Sequence, residues 1–177
     1  MTYDSRDNLL TFKEAQGNLS RRVYDGNGNL SVEIGPLHRE TRYEYDGEGQ
    51  LTKRTNATGQ STQWQRDAGG RVVKMIAPSG AETQRVYDAV GNVTQTIDAL
   101  GQVVEMAYDA LNNPIKSTDA AGLATTLSYD KLGRLVAMTN ALGFSVSQTY
   151  DVRGNVQTVP DAMGNTTRYD VNGHLIR

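Results

Sequence analysis

The chain has 177 residues, 37% hydrophobic and 21% charged, with a formal net charge of −2, 18 glycines, 4 prolines and no cysteine. That length suits one ordinary domain, and the absence of cysteine excludes a disulfide scaffold, a thiol nucleophile and a thiolate zinc site. Balanced charge without a Lys/Arg block leaves no electrostatic footprint for nucleic acid, no apolar run approaches the roughly 20 residues of a membrane span, and the segment from Met1 to Asp7 lacks the basic-then-apolar layout of an export signal.

Leu, Ile, Val and Phe together make up only about a fifth of the residues, so a large dry core is not expected. Self-similarity dominates the pattern instead. Tyr-Asp recurs at Tyr3-Asp4, Tyr24-Asp25, Tyr45-Asp46, Tyr87-Asp88, Tyr108-Asp109, Tyr129-Asp130 and Tyr150-Asp151, all on a 21-residue grid, and Arg66-Asp67 fills the vacant slot. A further pair, Tyr169-Asp170, comes two residues early, which predicts a deletion between Gly164 and Tyr169.

Two glycine series accompany the grid. Four residues after each Tyr stand Gly28, Gly49, Gly70, Gly91, Gly133, Gly154 and Gly173, with Asp7 and Asn112 as substitutes. Fourteen residues after it stand Gly17, Gly59, Gly80, Gly101, Gly122, Gly143 and Gly164, with His38 in the remaining place. Gly takes positive φ without steric cost, and Asn and Asp tolerate it best among other residues, so both positions predict turns.

In chain order, then, each unit is a strand, a Tyr-Asp-x-x-Gly turn, a second strand and an Asp/Asn-Ala-x-Gly turn, as in Asp98 to Gly101 and Asn140 to Gly143. The segments between turns, such as 103–108 and 135–139, are short and rich in Val, Thr, Leu and Tyr, which favours strands over helices. The expected fold is all-β: tandem 21-residue β-hairpin repeats in an antiparallel meander of roughly sixteen strands, which strand twist forces to curl. About eight repeats form a single array over 1–177, expected to be truncated at both ends because Tyr3 has little strand before it and Leu175, Ile176 and Arg177 stop partway through one.

Side chains alternate along a strand. The Tyr-bearing face takes Thr41, Tyr43 and Tyr45; Thr62 and Trp64; Val104, Met106 and Tyr108; Thr125, Leu127 and Tyr129. Its opposite takes Glu40, Arg42 and Glu44; Ser61, Gln63 and Gln65; Ala124, Thr126 and Ser128. One thin apolar face cannot build the thick core of a sandwich, so stability is expected from neighbouring hairpins and stacked aromatics.

No catalytic residue is expected. Catalysis needs a differentiated pair of groups, and an evenly spaced row of Asp describes a scaffold in which each carboxylate accepts backbone amides of its own turn. The run Asp25-Gly26-Asn27-Gly28-Asn29 resembles the start of a calcium loop, but Leu30 and Pro36 stand where that loop needs Gly and Glu. His38 and His174 are both at turn positions, which gives no metal site and no general base. No cofactor is expected. Trp64 and the periodic Tyr, Thr and Asn leave one rival reading, a surface module that binds carbohydrate.

The motif Tyr-Asp-x-x-Gly-Asn/Arg-Leu/Val, as in Tyr129 to Leu135, followed by Asp-Ala-x-Gly, resembles the YD repeat of Rhs-type bacterial proteins, relatives of teneurins and of insecticidal toxin-complex cocoon subunits. The resemblance implies a hairpin ribbon spiralling into a hollow shell around a toxin carried at the C-terminal end of a longer polypeptide, used in competition between bacteria. It makes Tyr24, Asp25, Gly28, Tyr45, Asp46, Gly49, Tyr87, Asp88, Gly91, Tyr108, Asp109, Tyr129, Asp130, Gly133, Tyr150, Asp151 and Gly154 structural turn residues. The implied partners are the rest of that polypeptide and its enclosed toxin domain, with self-association through exposed edge strands as a further expectation. The implied location is secreted or at the cell surface. The family's shell ends in a self-cleaving segment of Asp-Pro character; Asp98-Ala99 and Asp161-Ala162 stand in place of Asp-Pro.

Overall fold

The computed structural model describes residues 1–13, 17–160, 166–170 and 174–176. It is built of short strands joined by turns, with one 3-10 turn at Pro36–His38 as the only helical element among the described residues. Gly164 and Gly173, the expected deletion beside Gly164, Asp161-Ala162 and Arg177 lie outside the described residues.

The chain divides into two compact units, Met1–Gln84 and Arg85–Arg177. In the first, β1 (Thr2–Tyr3), β2 (Leu9–Lys13), β3 (Leu19–Tyr24), β4 (Leu30–Ile34), β5 (Glu40–Tyr45), β6 (Leu51–Thr55), β7 (Ser61–Arg66), β8 (Val72–Ile76) and the start of β9 (Glu82–Tyr87) follow one another in the sheet in sequence order, each antiparallel to the last. The second unit holds the rest of β9, then β10 (Val93–Ile97), β11 (Val103–Tyr108), β12 (Pro114–Thr118), β13 (Ala124–Tyr129), β14 (Leu135–Thr139) and β15 (Ser145–Ser147). A four-stranded sheet of β16 (Thr149–Tyr150), β17 (Val156–Pro160), β18 (Thr166–Tyr169) and β19 (Leu175–Ile176) completes it.

The sixteen strands expected from the repeats become nineteen among the described residues. Thr2–Tyr3 and Leu175–Ile176 count as strands of their own, and the strand leading to Tyr150 is split at Gln148. There the Gln148 amide N–H donates to Val136 O at 2.8 Å and its side chain to Leu135 O at 2.8 Å.

Register shifts accompany most of the described hairpins that close on the Tyr-type turn, whereas β18 and β19 pair after Tyr169 without one. Tyr45 faces Leu51 while Glu44 faces Lys53, leaving Thr52 as the extra residue of a β-bulge; Tyr24, Arg66, Tyr108, Tyr129 and Tyr150 carry the same slip. The extra residue is used where it carries a hydroxyl. Ser31, Thr52 and Thr94 donate to the cross-strand carbonyls of Val23, Glu44 and Val86 at 3.1, 3.1 and 3.3 Å.

On strands approaching a Tyr, exposure alternates as the sequence implies: Arg42 and Glu44 are open while Tyr43 and Tyr45 are half-buried, and β7 and β13 repeat the pattern. Returning strands lose it, since the bulge puts consecutive residues out of step. Among the described residues no hydrophobic side chain is fully buried, and only Ser20 is buried at all, at 3% exposure. Cohesion therefore rests on cross-strand contacts, such as half-buried Trp64 opposite exposed Met75 and half-buried Leu127 opposite exposed Met138, together with backbone ladders.

Candidate functional site: the Tyr-Asp turn

The repeated unit of chemistry is the turn that starts at each Asp. Asp25 Oδ1 accepts the amides of Asn27 and Asn29 at 2.9 and 2.8 Å, and Asp25 Oδ2 accepts the Asn29 side-chain amide at 3.1 Å. Asp4, Asp88, Asp109 and Asp151 hold the amides two and four residues on in the same way, and each also takes the side chain of Asn8, Asn92, Asn113 or Asn155. In two turns Arg replaces that Asn. Arg71 pairs with Asp67 through two nitrogens at 2.8 Å, and Arg134 pairs with Asp130 through two at 2.7 Å. Arg134 also lies over the Tyr150 ring, 4.5 Å from its centroid.

Main-chain bonds close each turn. Asp46 N–H donates to Gln50 O at 3.0 Å and Gly49 N–H to Asp46 O at 3.1 Å. The residue next to last must be left-handed, with φ +78° at Gly49 and +74° at Gly133. Asp7 and Asn112 meet the same demand at 62° and 65°, as their place in the glycine series predicts.

The second turn copies the first. Asp98 Oδ1 accepts the amides of Leu100 and Gln102 at 2.9 Å each, and Asn56, Asp119 and Asn140 do the same in their turns. Ala77 has no acceptor to offer; its turn is closed by backbone bonds such as Ala77 N–H to Ala81 O at 2.8 Å, and the Ala81 amide donates to Ser79 Oγ at 3.3 Å. At the place filled by His38 the chain takes a different corner, with both Leu37 and His38 left-handed at 61° and 57°.

Seven carboxylates of the first turn are held below their ordinary value. Asp4, Asp67 and Asp109 are held below the ordinary 3.8 chiefly by the side chains of Asn8, Arg71 and Asn113. Asp25, Asp130 and Asp151 are held down chiefly by the amides of Asn29, Arg134 and Asn155. At Asp88 partial desolvation pushes upward, and the two hydrogen bonds from Asn92 help to outweigh it. Burial, assisted by Tyr43 and Asp25, raises the Tyr45 phenol, which keeps it a donor.

Two contacts that the sequence pattern does not reveal couple one repeat to the next. First, five of the repeat tyrosines donate their hydroxyl to the carbonyl fifteen residues earlier, at the head of the previous hairpin's returning strand. The pairs are Tyr24 to Leu9 (3.0 Å), Tyr45 to Leu30 (2.9 Å), Tyr108 to Val93 (3.0 Å), Tyr129 to Pro114 (2.9 Å) and Tyr150 to Leu135 (2.7 Å). Arg66, in the slot without Tyr, reaches Leu51 O at 3.5 Å and Gly70 O at 3.1 Å, and its Nε is buried without a partner.

Second, at Gly49, Gly70, Gly133 and Gly154, though not at Gly28 or Gly91, the residue after the preceding turn's glycine lies against the glycine of the next turn. Asn29 Oδ1 is 3.6 Å from where a Cβ on Gly49 would stand, and Gln50 Nε2 is 2.9 Å from that point on Gly70. Where Asn112 replaces glycine, its Oδ1 accepts Asn92 Nδ2 at 2.8 Å. At Gly70 glycine thus serves both the left-handed turn and the close approach of the preceding repeat; elsewhere in the series the left-handed turn is what demands it. The regular offset was the only trace of either contact in the sequence.

Among the described residues no group of three His, Asp or Glu side chains could hold a metal. Trp64 is half-buried on its strand, and the open cleft beside it is lined by Glu44, Lys53, Gln63, Gln65 and Asp67. No helix among the described residues is long and apolar enough to cross a membrane.

Comparison with known proteins places these turns in context. The RHS Repeat family model matches residues 24–59, 45–82, 87–124, 108–145 and 129–161. No curated protein matches the chain. Among solved structures, the Photorhabdus luminescens Tc holotoxin pore is similar over 98% of this chain and 11% of its own, with a TM-score of 0.69 and 18% identity. The TcdB2-TccC3-Cdc42 crystal structure is similar over 97% of this chain and 12% of its own, with a TM-score of 0.61 and 15% identity. At that identity the likeness is one of fold, and this chain spans about an eighth or less of the chains it resembles. By the family model, which takes in most of its length, the chain belongs to the RHS repeat family.

Proposed function

We propose that this chain is non-catalytic wall: a single array of about eight repeats forming part of a shell that encloses a toxin on the same, longer polypeptide, used by one bacterium against another and acting outside the cell that makes it. The Tyr-Asp-Gly turn residues are its structural elements. Its partners are the rest of that polypeptide and the enclosed toxin domain, with free strand edges able to pair with other copies. The observation that supports this most is the uniform coupling of repeats. Each described Tyr-Asp turn repeats one Asp clamp, and the hydroxyl latches tie hairpins together along the chain, as in Tyr45 to Leu30. Such a ribbon resists local opening at every repeat, which a wall needs and a single-site enzyme does not. One solved structure it resembles is a Tc holotoxin pore carrying a TccC3 mutation, and TccC3 recurs in the TcdB2-TccC3-Cdc42 structure.

The test is limited proteolysis of the full polypeptide that carries these repeats. The C-terminal toxin segment is expected to survive a protease dose that degrades the same segment expressed alone, and to become sensitive when latch tyrosines in consecutive repeats are changed to Phe. Equal cleavage of the segment in both settings overturns the proposal. Retained glycan binding that is lost on Trp64→Ala in a folded chain would favour the carbohydrate module instead.

A further inference from the structure

We propose that Asn27 is a site of spontaneous covalent modification, at which the side-chain amide is lost through a succinimide to give aspartate and isoaspartate. The reaction needs an asparagine whose carboxamide is free and whose next residue is small enough for its main-chain nitrogen to reach the side chain. Asn27 alone satisfies both demands among the described asparagines. It is exposed, its carboxamide makes no hydrogen bond among the described residues, and Gly28 follows it.

Every competitor fails one condition or both; Asn18, for example, precedes Leu19. The amides of Asn8, Asn29, Asn92, Asn113 and Asn155 are held by Asp4, Asp25, Asp88, Asp109 and Asp151 at 2.9–3.1 Å. Those asparagines precede Leu9, Leu30, Val93, Pro114 and Val156, whose side chains or missing N–H obstruct ring closure. Asn56 and Asn140 have Oδ1 engaged by two backbone amides each. Asn112 accepts from Asn92. The neighbouring Asp25-Gly26 and Asp46-Gly47 bonds have the glycine but not the free side chain, since Asp25 and Asp46 each clamp two amides of their own turn.

In the step itself the Gly28 nitrogen bonds to Asn27 Cγ and ammonia leaves, taking up the Gly28 amide proton. Water then opens the ring at either carbonyl, restoring a normal or a β-linked main chain. No oxidant or reductant takes part. The Gly28 N–H donates to Asp25 O at 3.1 Å, so the nucleophile is released when this one exposed turn frays. The β-linked product inserts a methylene between Asp25 and Asn29, the span over which the Asp25 clamp closes. It would therefore also disturb the seat of Asn29 against Gly49.

Peptide mapping of the intact folded chain after incubation in mildly alkaline buffer tests the proposal. Residue 27 is expected to be recovered as aspartate plus isoaspartate, with an acidic charge variant appearing in step, while Asn8, Asn29, Asn56, Asn92, Asn113 and Asn140 keep their amides. The Asn172-Gly173 pair, outside the described residues, is resolved in the same map. Gly28→Asn, which installs the residue that Asn112 already places at this turn position, is expected to keep the fold and suppress conversion at 27. Retention of the Asn27 amide in the folded chain, under conditions where the urea-unfolded chain converts, overturns the proposal. So does conversion of clamped asparagines at the same rate as Asn27.

Discussion

The hydroxyl of Tyr129 donates to the carbonyl of Pro114, 2.9 Å away and fifteen residues earlier in the chain. That carbonyl heads the returning strand of the preceding hairpin, where the bulge beside Tyr108 interrupts the ladder. One phenol therefore completes the hydrogen bonding of its neighbour while its ring covers the sheet. A chain with no fully buried hydrophobic side chain among its described residues depends on such contacts between units.

Tyr129→Phe keeps the ring and removes the donor, leaving the Pro114 carbonyl short of a partner. A loss of about 1 kcal/mol is expected in urea denaturation. Arg66→Tyr is expected to move stability the other way by about 1 kcal/mol, because it installs the latch at Leu51 O and removes a buried Nε that has no partner. Equal stability of the wild type and both variants would refute the latch.

Acid should loosen the turns together. The folded chain holds the carboxyls of Asp4, Asp25, Asp67, Asp88, Asp109, Asp130 and Asp151 below 3.8, so the unfolded chain binds more protons near that pH. Their contribution is complete above the unfolded value and is lost as pH falls through the depressed folded values. Asp109→Asn is expected to keep the turn, as Asn56 and Asn140 do in theirs, and to make melting less sensitive to acid. Melting temperatures across an acid titration check both statements.

Ala77→Asp supplies the amides of Ser79 and Ala81 with a carboxylate acceptor of the kind that Asp98 and Asp119 provide, in place of the 3.3 Å bond from Ala81 N–H to Ser79 Oγ. A gain of about 0.5–1 kcal/mol is expected by thermal or urea denaturation. No gain would mean that Pro78 holds this turn in a geometry the carboxylate cannot cap.

Leu37→Gly should also stabilise. Leu37 sits at φ 61°, ψ 25° with its side chain 84% exposed, so it bears left-handed strain without a packing return. Relief of about 1 kcal/mol is expected, reduced somewhat by the extra freedom of glycine in the unfolded chain. A lower melting temperature for the variant would show that Leu37 packs against something the isolated chain lacks.

The sequence by itself determined the period, both turns, the all-β hairpin order and the strands that approach each Tyr. These follow from local physics: Gly28 or Asn112 four residues after a Tyr fixes a left-handed turn, and alternation along Glu40 to Tyr45 fixes a face. Only the tertiary structure decided how repeats hold one another. The bulge at Thr52 put the returning strand out of step with simple alternation. The carbonyl that receives Tyr45 lies fifteen residues away, and the space that Asn29 fills belongs to Gly49 of the next turn. A hydroxyl and a missing Cβ have no partner written beside them in the chain; the partner is set by the register and bulge of the folded sheet.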